Sequence, residues 1–469
     1  MTHAGKPRPF GLRDKVGYLF GDFGNDFTFV LATMILMKFY TDVMGVSAGV
    51  VGTIMMVTRF IDAFTDVTMG RIVDRMPPGR DGKFRRWLKW MCVPVALSSF
   101  LLYQAGVAGW PYGARVAYLT VVYVLWSSIC YTGINIPYGS MASAISPEPG
   151  DRQSLSTYRT MGATLASAVI GVVLPLLAYQ KIEGVETLVG ARVTAAAGIF
   201  SLLAIVCYLI CYALTTERVN MHVHQQAQAH NSVGRMLLNA AGNRALLSLI
   251  AASVVMLLAQ MIMQNMAGYV YPDYYNSAAA QSASTLLMLG GMLAAAVTAK
   301  PLAARFGKAE VSVVSNLFAA VVCVATYLIR PQNVWVFIAL QALNWLGLGV
   351  FSMVSWALVT DVIDYSEIRN GVREDGTVYA LYSFARKVGQ AAAVGLTGAL
   401  LSLIGYVPGA IGGQTAAVRE GIFGIATLAP GIGFALLAAV LWFWYPLHKR
   451  QVDENVALLK RRREGGGSG

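Results

Sequence analysis

Apolar stretches of membrane-spanning length recur from one end of this sequence to the other, and that recurrence leaves few folds open. A helix needs about 20 apolar residues to cross the hydrocarbon core. In lipid, every backbone polar group must be satisfied within the protein, so long apolar runs predict helices. The expected spans lie at approximately 15–43, 47–75, 87–107, 115–145, 153–180 and 191–214. A polar segment, TTERVNMHVHQQAQAHNSVGR, follows at about 215–235. Further spans are expected at approximately 243–275, 279–305, 309–330, 333–363, 377–405 and 420–446. The pattern predicts an all-α membrane protein of about twelve transmembrane helices in two six-helix bundles, as in two-lobed transporters. The expected division is 1–214 for the N-terminal bundle, 215–242 for a cytoplasmic central loop, 243–446 for the C-terminal bundle and 447–469 for a cytoplasmic tail. The closing GGGSG reads as a cloning scar.

Charge is scarce, at 13% of 469 residues, which is too little to cover a soluble surface. No cleavable signal is evident in MTHAGKPRPFGLRDK, which is polar and leads straight into the first span. A net charge of +12 would suggest nucleic acid in a soluble chain, but here the basic residues cluster in particular loops, so topology accounts for them and no nucleic-acid partner is expected. Lys6, Arg8 and Arg13 precede the first span. Arg71, Arg75, Arg80, Lys83, Arg85 and Arg86 follow the second, Lys300, Arg305 and Lys308 follow the eighth, and Lys460, Arg461, Arg462 and Arg463 sit in the tail. TDVMGVSAG and NSAAAQSAS, at 41–49 and 276–284, have no Lys or Arg. Both termini are therefore expected in the cytoplasm of a bacterial inner-membrane protein. The basic connections GRIVDRMPPGRDGKFRR and PLAARFGKAE occupy equivalent places in the two halves, which hints at a repeat; basic cytoplasmic loops in general explain them equally well. Cys92, Cys130, Cys207, Cys211 and Cys323 all lie in apolar segments and are expected to be buried thiols. His222, His224 and His230 read as part of a solvated linker, with no Cys or acid to complete a metal site. No phosphate-binding loop is present to suggest ATP-driven transport.

Against this background, ionisable residues inside the spans stand out, because each costs roughly 2.5–3.5 kcal/mol near the bilayer centre. Asp22 and Asp26 share a helix face in GDFGNDF, and Asp26 lies roughly 16 Å beyond Lys15 at 1.5 Å per residue. Asp22 is shallower and open to a solvated or helix-packing reading. The second span carries Arg59, Asp62 and Asp66 at helical spacing. Two close carboxylates favour a bound proton or cation. An internal ion-pair network is the competing reading, and it leaves one acid over. Arg159 lies in the fifth span, with Arg386 and Lys387 in the eleventh. Adjacent residues cannot share a face, so Lys387 is expected in the cavity and Arg386 in pairing or snorkelling. Asp361 and Asp364, at the end of the tenth span, are expected to make interlobe contacts with basic loops. Thr132, Asn135, Gln260, Gln264, Asn265, Tyr271, Tyr274, Tyr382 and Ser383 supply polar and aromatic groups of the kind that bind sugars, although each alone is as readily helix–helix glue.

The motifs GDFGNDF, KFYTDVMGV, RFIDAFTDVTMGRIVD, GKFRRW, NIPYGSM and TDVIDYSEIRNGVREDGTVYALYSFARK resemble the glycoside–pentoside–hexuronide:cation symporters of the major facilitator superfamily. The likeness covers about residues 10–450. It implies the twelve-helix major facilitator fold, a central sugar site and an adjacent cation site. By this resemblance Asp26 and Arg159 match sugar-binding residues, Asp62, Asp66 and Thr132 match cation ligands, and Lys387 matches the residue linking the two sites. Na⁺ is then a candidate occupant at Asp62, Asp66 and Thr132, with H⁺ the other. Asn135 stands where galactoside carriers of the family have a second acid, Gly139 where they have a Trp, and Thr65 where they have an Asn of the cation site. An acid replaced by Asn135 makes the pocket more positive by one charge. The expected substrate is therefore an acidic sugar, such as a hexuronide or a sulfonated sugar, with neutral pentosides or glycosides next. Gln264 and Tyr382 are further expected substrate contacts.

The expectation is a symporter working by alternating access as a monomer in the lipid bilayer, with no cofactor besides the coupling ion. The alternative is a proton-coupled exporter or lipid carrier of the same fold. An intramembrane enzyme lacks support, because no His lies inside a span.

Overall fold

The structure is a computed structural model that describes residues 8–79, 81–219, 242–370, 375–410 and 413–465. Arg80 and the three histidines of the central loop lie outside the described residues, as do the side chains of Lys460, Arg462 and Arg463.

The chain forms α1 (Leu12–Asp42), α2 (Ala48–Arg75), α3 (Arg85–Leu101) and α4 (Tyr112–Val124), the last running through a π-helical stretch (Leu125–Tyr131) into α5 (Thr132–Ile145). Then come α6 (Pro149–Ala178), a short antiparallel hairpin of β1 (Tyr179–Ile182) and β2 (Val185–Leu188), and α7 (Gly190–Leu214). The remainder is α8 (Arg244–Tyr269), α9 (Ala278–Phe306), α10 (Lys308–Ile329), α11 (Val334–Asn370), α12 (Asp375–Leu403), α13 (Ala416–Ala439) and α14 (Lys449–Gly465). Among the described residues, eleven helical segments are long and apolar enough to cross a membrane. The helix Asp375–Leu403 lies over the expected eleventh span. Each expected apolar stretch is thus helical. The hairpin and α14 were not anticipated.

Many large apolar side chains face outward. Along α2, Val57, Phe60, Ile61, Phe64 and Val67 are exposed, whereas Met55, Thr58, Asp62 and Met69 are buried. That inversion of the soluble pattern suits a lipid environment, in which a polar residue gains by turning toward other helices.

Two compact units can be distinguished. One comprises 1–229 together with 276–282 and 401–414; the other comprises 230–275, 283–400 and 415–469. In the first unit α1 packs on α6 and α7, and α3 on α7 and α5. Glycines allow the closest approaches. A Cβ on Gly21 would run into the Tyr138 ring, and one on Gly24 would lie 3.1 Å from Tyr208. Tyr18 and Tyr138 stack with ring centroids 4.6 Å apart. Each hydroxyl donates to the other residue's carbonyl, at 3.2 and 2.6 Å.

In the second unit α10 packs on α11 and α13, and α13 on α8, around a core that includes Phe351, Leu358, Tyr382 and Phe434. Asp361 pairs with Lys308 at 2.6 Å. The basic partner agrees with expectation, but it belongs to the same unit, so this contact is not the interlobe one anticipated. All five cysteines are buried.

Candidate functional site

The first unit gathers most of the in-membrane charge into two neighbouring clusters. The first is centred on Asp62 of α2, which is buried. Ser127 donates to its Oδ2 at 2.6 Å and Ser128 to its Oδ1 at 2.5 Å, so both carboxylate oxygens are engaged. Arg59, one turn earlier on α2, places Nη1 3.7 Å from Oδ2 and lays its guanidinium 5.0 Å from the centre of the Phe29 ring. Asp66, one turn later, accepts from the Thr132 hydroxyl at 2.9 Å. Thr132 also approaches the Ser127 carbonyl at 3.2 Å. The two serines belong to the π-helical stretch between α4 and α5. Such stretches are rare and concentrate at functional sites. Thr65 is turned back on its own helix, donating to the Asp62 carbonyl at 3.1 Å.

The second cluster centres on Arg159 of α6. Its Nε donates to Asp22 Oδ1 at 3.0 Å, and its guanidinium lies 5.3 Å from the Tyr138 ring centre. Asp22, open to a merely structural reading in the sequence, is therefore the direct partner of this arginine. Asp26 lies within electrostatic range of both. It is half-buried, one turn further along the face it shares with Asp22. The Arg159 side chain is 39% exposed, and it lies close to Gly139, where a Cβ would be in van der Waals contact with Nη1 at 3.6 Å. Asn135 is half-buried and accepts from Asn25 Nδ2 at 3.3 Å.

Tyr131 lies beside the first cluster. Its ring stacks on Phe29 with centroids 5.7 Å apart, and Phe29 is the ring over which Arg59 lies. Asp26, Asp62, Asp66, Thr132, Asn135 and Arg159 thus come from α1, α2, α5 and α6 into one region of one unit.

The remaining expected residues belong to the second unit. Lys387 is exposed on α12. Arg386, half-buried beside it, lies 5.8 Å from the Trp356 ring centre and 5.9 Å from that of Tyr382. Tyr382 is fully buried and accepts from Ser253 at 2.8 Å, so it packs within its unit and presents no surface to a ligand in this structure. Gln264 is half-buried on α8. Sequence reasoning missed Ser127, Ser128, Asn25 and Tyr208. Only the polar character of the first three inside apolar segments could have drawn attention to them.

A profile described as MFS/sugar transport protein matches residues 17–449. The chain is 31% identical over 443 residues to an uncharacterized symporter, YjmB, of Bacillus subtilis, covering 94% of this chain and 93% of that one. It is 30% identical over 454 residues to a glucuronide carrier protein homolog of Escherichia coli, covering 96% of each. Among solved structures, a bacterial homolog of the lysosomal transporter Spinster, inward-facing and unoccupied, superposes with a TM-score of 0.67. That likeness holds at 11% identity over 95% of this chain and 99% of that one, and it supports the fold alone. With its multi-pass helices and this match along nearly its whole length, the chain belongs to the MFS/sugar transport protein family and is a membrane transporter, not an enzyme.

Proposed function

We propose that this protein is a secondary symporter that carries a sugar or glycoside inward together with H⁺ or Na⁺, by alternating access. It acts as a monomer in the bacterial inner membrane with both termini in the cytoplasm. The observation that carries the reading is the presence in one unit of two clusters, one around Asp62 and Asp66 and the other around Arg159 and Asp22. One holds carboxylates surrounded by hydroxyls, and the other holds a partly exposed arginine. Hydroxyl and carboxylate oxygens suit a hard cation; a guanidinium beside an aromatic ring suits a polar solute with an apolar face.

The coupling logic is electrostatic. A carboxylate that must pass through a closed state is costly to bury without a compensating charge. A cation at Asp62 and Asp66 removes that cost, and the loaded carrier then changes conformation readily. Thr65, with its hydroxyl committed to the Asp62 carbonyl, supports the helix turn that carries both acids. Lys387 is a further proposed substrate residue.

The preferred substrate is an acidic sugar. Asn135 in place of an acid, with the partly exposed Arg159, favours a carboxylate or sulfonate. The similarity to a glucuronide carrier homolog supports this choice. Counterflow with labelled glucuronide, sulfoquinovose, xyloside and galactoside tests it, and stronger exchange of a neutral sugar would reject the acidic preference. Asp62→Asn is expected to abolish concentrative uptake while leaving downhill exchange. Unchanged accumulation in that variant would show that coupling resides elsewhere. Solute-driven pH change, compared with sodium dependence in vesicles, identifies the ion.

A further inference from the structure

Behind the half-buried Asn135 lies a line of buried polar groups that no substrate could touch. Tyr208 of α7 is fully buried, and Asn25 of α1 is 1% exposed. The Tyr208 hydroxyl donates to Asn25 Oδ1 at 2.8 Å, and Asn25 Nδ2 donates to Asn135 Oδ1 at 3.3 Å. A primary amide has an acceptor end and a donor end, and its surroundings decide which way round it sits.

Here the side that faces Asp22 decides the orientation of Asn25, because the Tyr208 hydroxyl could serve either end of the amide. Tyr208 supplies a proton to the oxygen. On the other side, the Asn25 side chain also interacts with the Asp22 carboxylate, one turn earlier on α1. An ionised carboxylate only accepts, and Asp22 is held beside Arg159. Turning the Asn25 amide over would set its oxygen against that acid and leave the nitrogen facing Tyr208. Once Asn25 is fixed, Asn135 is fixed too: its oxygen faces Asn25, and its NH₂ is the other edge of the amide. One turn along α5 from Asn135, on the same face, is Gly139, beside which Arg159 Nη1 lies.

We propose that Tyr208 and Asn25 are positioning residues for specificity. Their relay holds the Asn135 amide with its NH₂ toward substrate, so that this nitrogen and Arg159 Nη1 together present donors to the carboxylate or sulfonate of an acidic sugar. This rests on the acidic-sugar reading above and adds to it the reason that the amide points its donor end outward. A neutral sugar hydroxyl can donate or accept and gains little from a fixed donor, whereas an anionic group can only accept.

Tyr208→Phe keeps the ring and removes only the hydroxyl, so Asn25 Oδ1 loses its donor and the amide, and Asn135 with it, is held less firmly. With a donor to the anionic group misplaced, the KM for methyl glucuronide is expected to rise about tenfold. The KM for methyl glucoside should change by less than about twofold, with the maximal rates of both sugars preserved. Asn135→Asp, which presents acceptors only, should lose the glucuronide preference as well. Equal changes in both KM values, or none in either, would overturn the relay. Should Tyr208→Phe fold poorly, lower maximal rates with an unchanged KM ratio would likewise count against it, whereas a changed ratio in the folded fraction supports it. The wild-type preference is read separately. A carrier that favours methyl glucoside defeats the acidic-sugar reading, and the relay is then judged on whether Tyr208→Phe still alters the ratio of the two KM values.

Discussion

Asp62 shows how a carboxylate can be kept inside a membrane protein. Its two oxygens each take a serine hydroxyl, and Arg59 stands nearby without a tight bidentate grip. Replacing Ser127 and Ser128 together by Ala removes two hydrogen bonds to a charged group, each worth about 1.5–3 kcal/mol. Concentrative uptake is therefore expected to fall by about tenfold or more while energy-independent counterflow persists; uptake unchanged in both assays would reduce the serines to packing. The positions of Asp62, Asp66 and Thr132 were legible because charge and polarity in an apolar run are rare. The serines were not, since a serine in a membrane helix usually bonds within its own helix, as Thr58 and Thr68 do here. The π-helical turn also breaks the 3.6-residue spacing on which facial arguments depend. Likewise, spacing showed that Asp22 and Asp26 share a face, but not which of them Arg159 reaches, because that depends on how α6 is seated against α1.

At the scale of elements, the segment after α7 is more than the beginning of a linker. Glu217 accepts from the backbone amides of Lys83, Phe84 and Arg85 at 2.7, 2.8 and 2.6 Å, capping the start of α3 with a carboxylate. Gly82, at φ +96°, makes the turn that aims those amides, and a Cβ there would lie 2.6 Å from the Glu217 carboxyl carbon. Beside it Arg218 and Arg8 converge on Asp14, which is fully buried at the start of α1. The second unit shows a related corner. There Gly307 has φ +102°, and Glu310 in the first turn of α10 accepts from the backbone amide of Lys449 at 2.8 Å. The likeness between the two basic connections thus has a physical counterpart, although their capping carboxylates come from different places in the chain. Removing one partner of a buried pair costs about 3–5 kcal/mol. Asp14→Asn, which leaves two arginines facing a neutral amide, is expected to lower the thermal unfolding midpoint in detergent markedly. Glu217→Ala should lower it less, since capping contributes roughly 0.5–2 kcal/mol. A midpoint equal to wild type in both would show that these ties carry little of the unit's stability. None of this was visible in TTERV as a string, because a cap is recognised only once the helix it closes is in place.

For the whole molecule, the strongest message of the sequence was the count and placement of spans, and every expected stretch is helical. The reason is that hydrophobic length is a local property, legible without tertiary context. Grouping is not local. Segments 276–282 and 401–414 belong by contact to the first unit. In that unit Lys38, which is buried, pairs with Asp42 at 2.8 Å, while the Tyr406 hydroxyl bonds to both side chains at 2.8 and 2.7 Å. Nothing in KFYTDVMGV announces a partner more than 360 residues away in the chain. Orientation in the membrane rests on the distribution of Lys and Arg, and the buried native cysteines make it directly testable, because they contribute little background to thiol labelling. Pro78, in the basic connection after α2, and Gln332, between α10 and α11, are both exposed. With both termini in the cytoplasm, an even number of crossings puts position 78 inside and position 332 outside. A membrane-impermeant maleimide should therefore label Gln332→Cys in intact cells and Pro78→Cys only after permeabilisation. The reverse pattern would invert the molecule in the membrane, and with it the direction in which any sugar gradient is built.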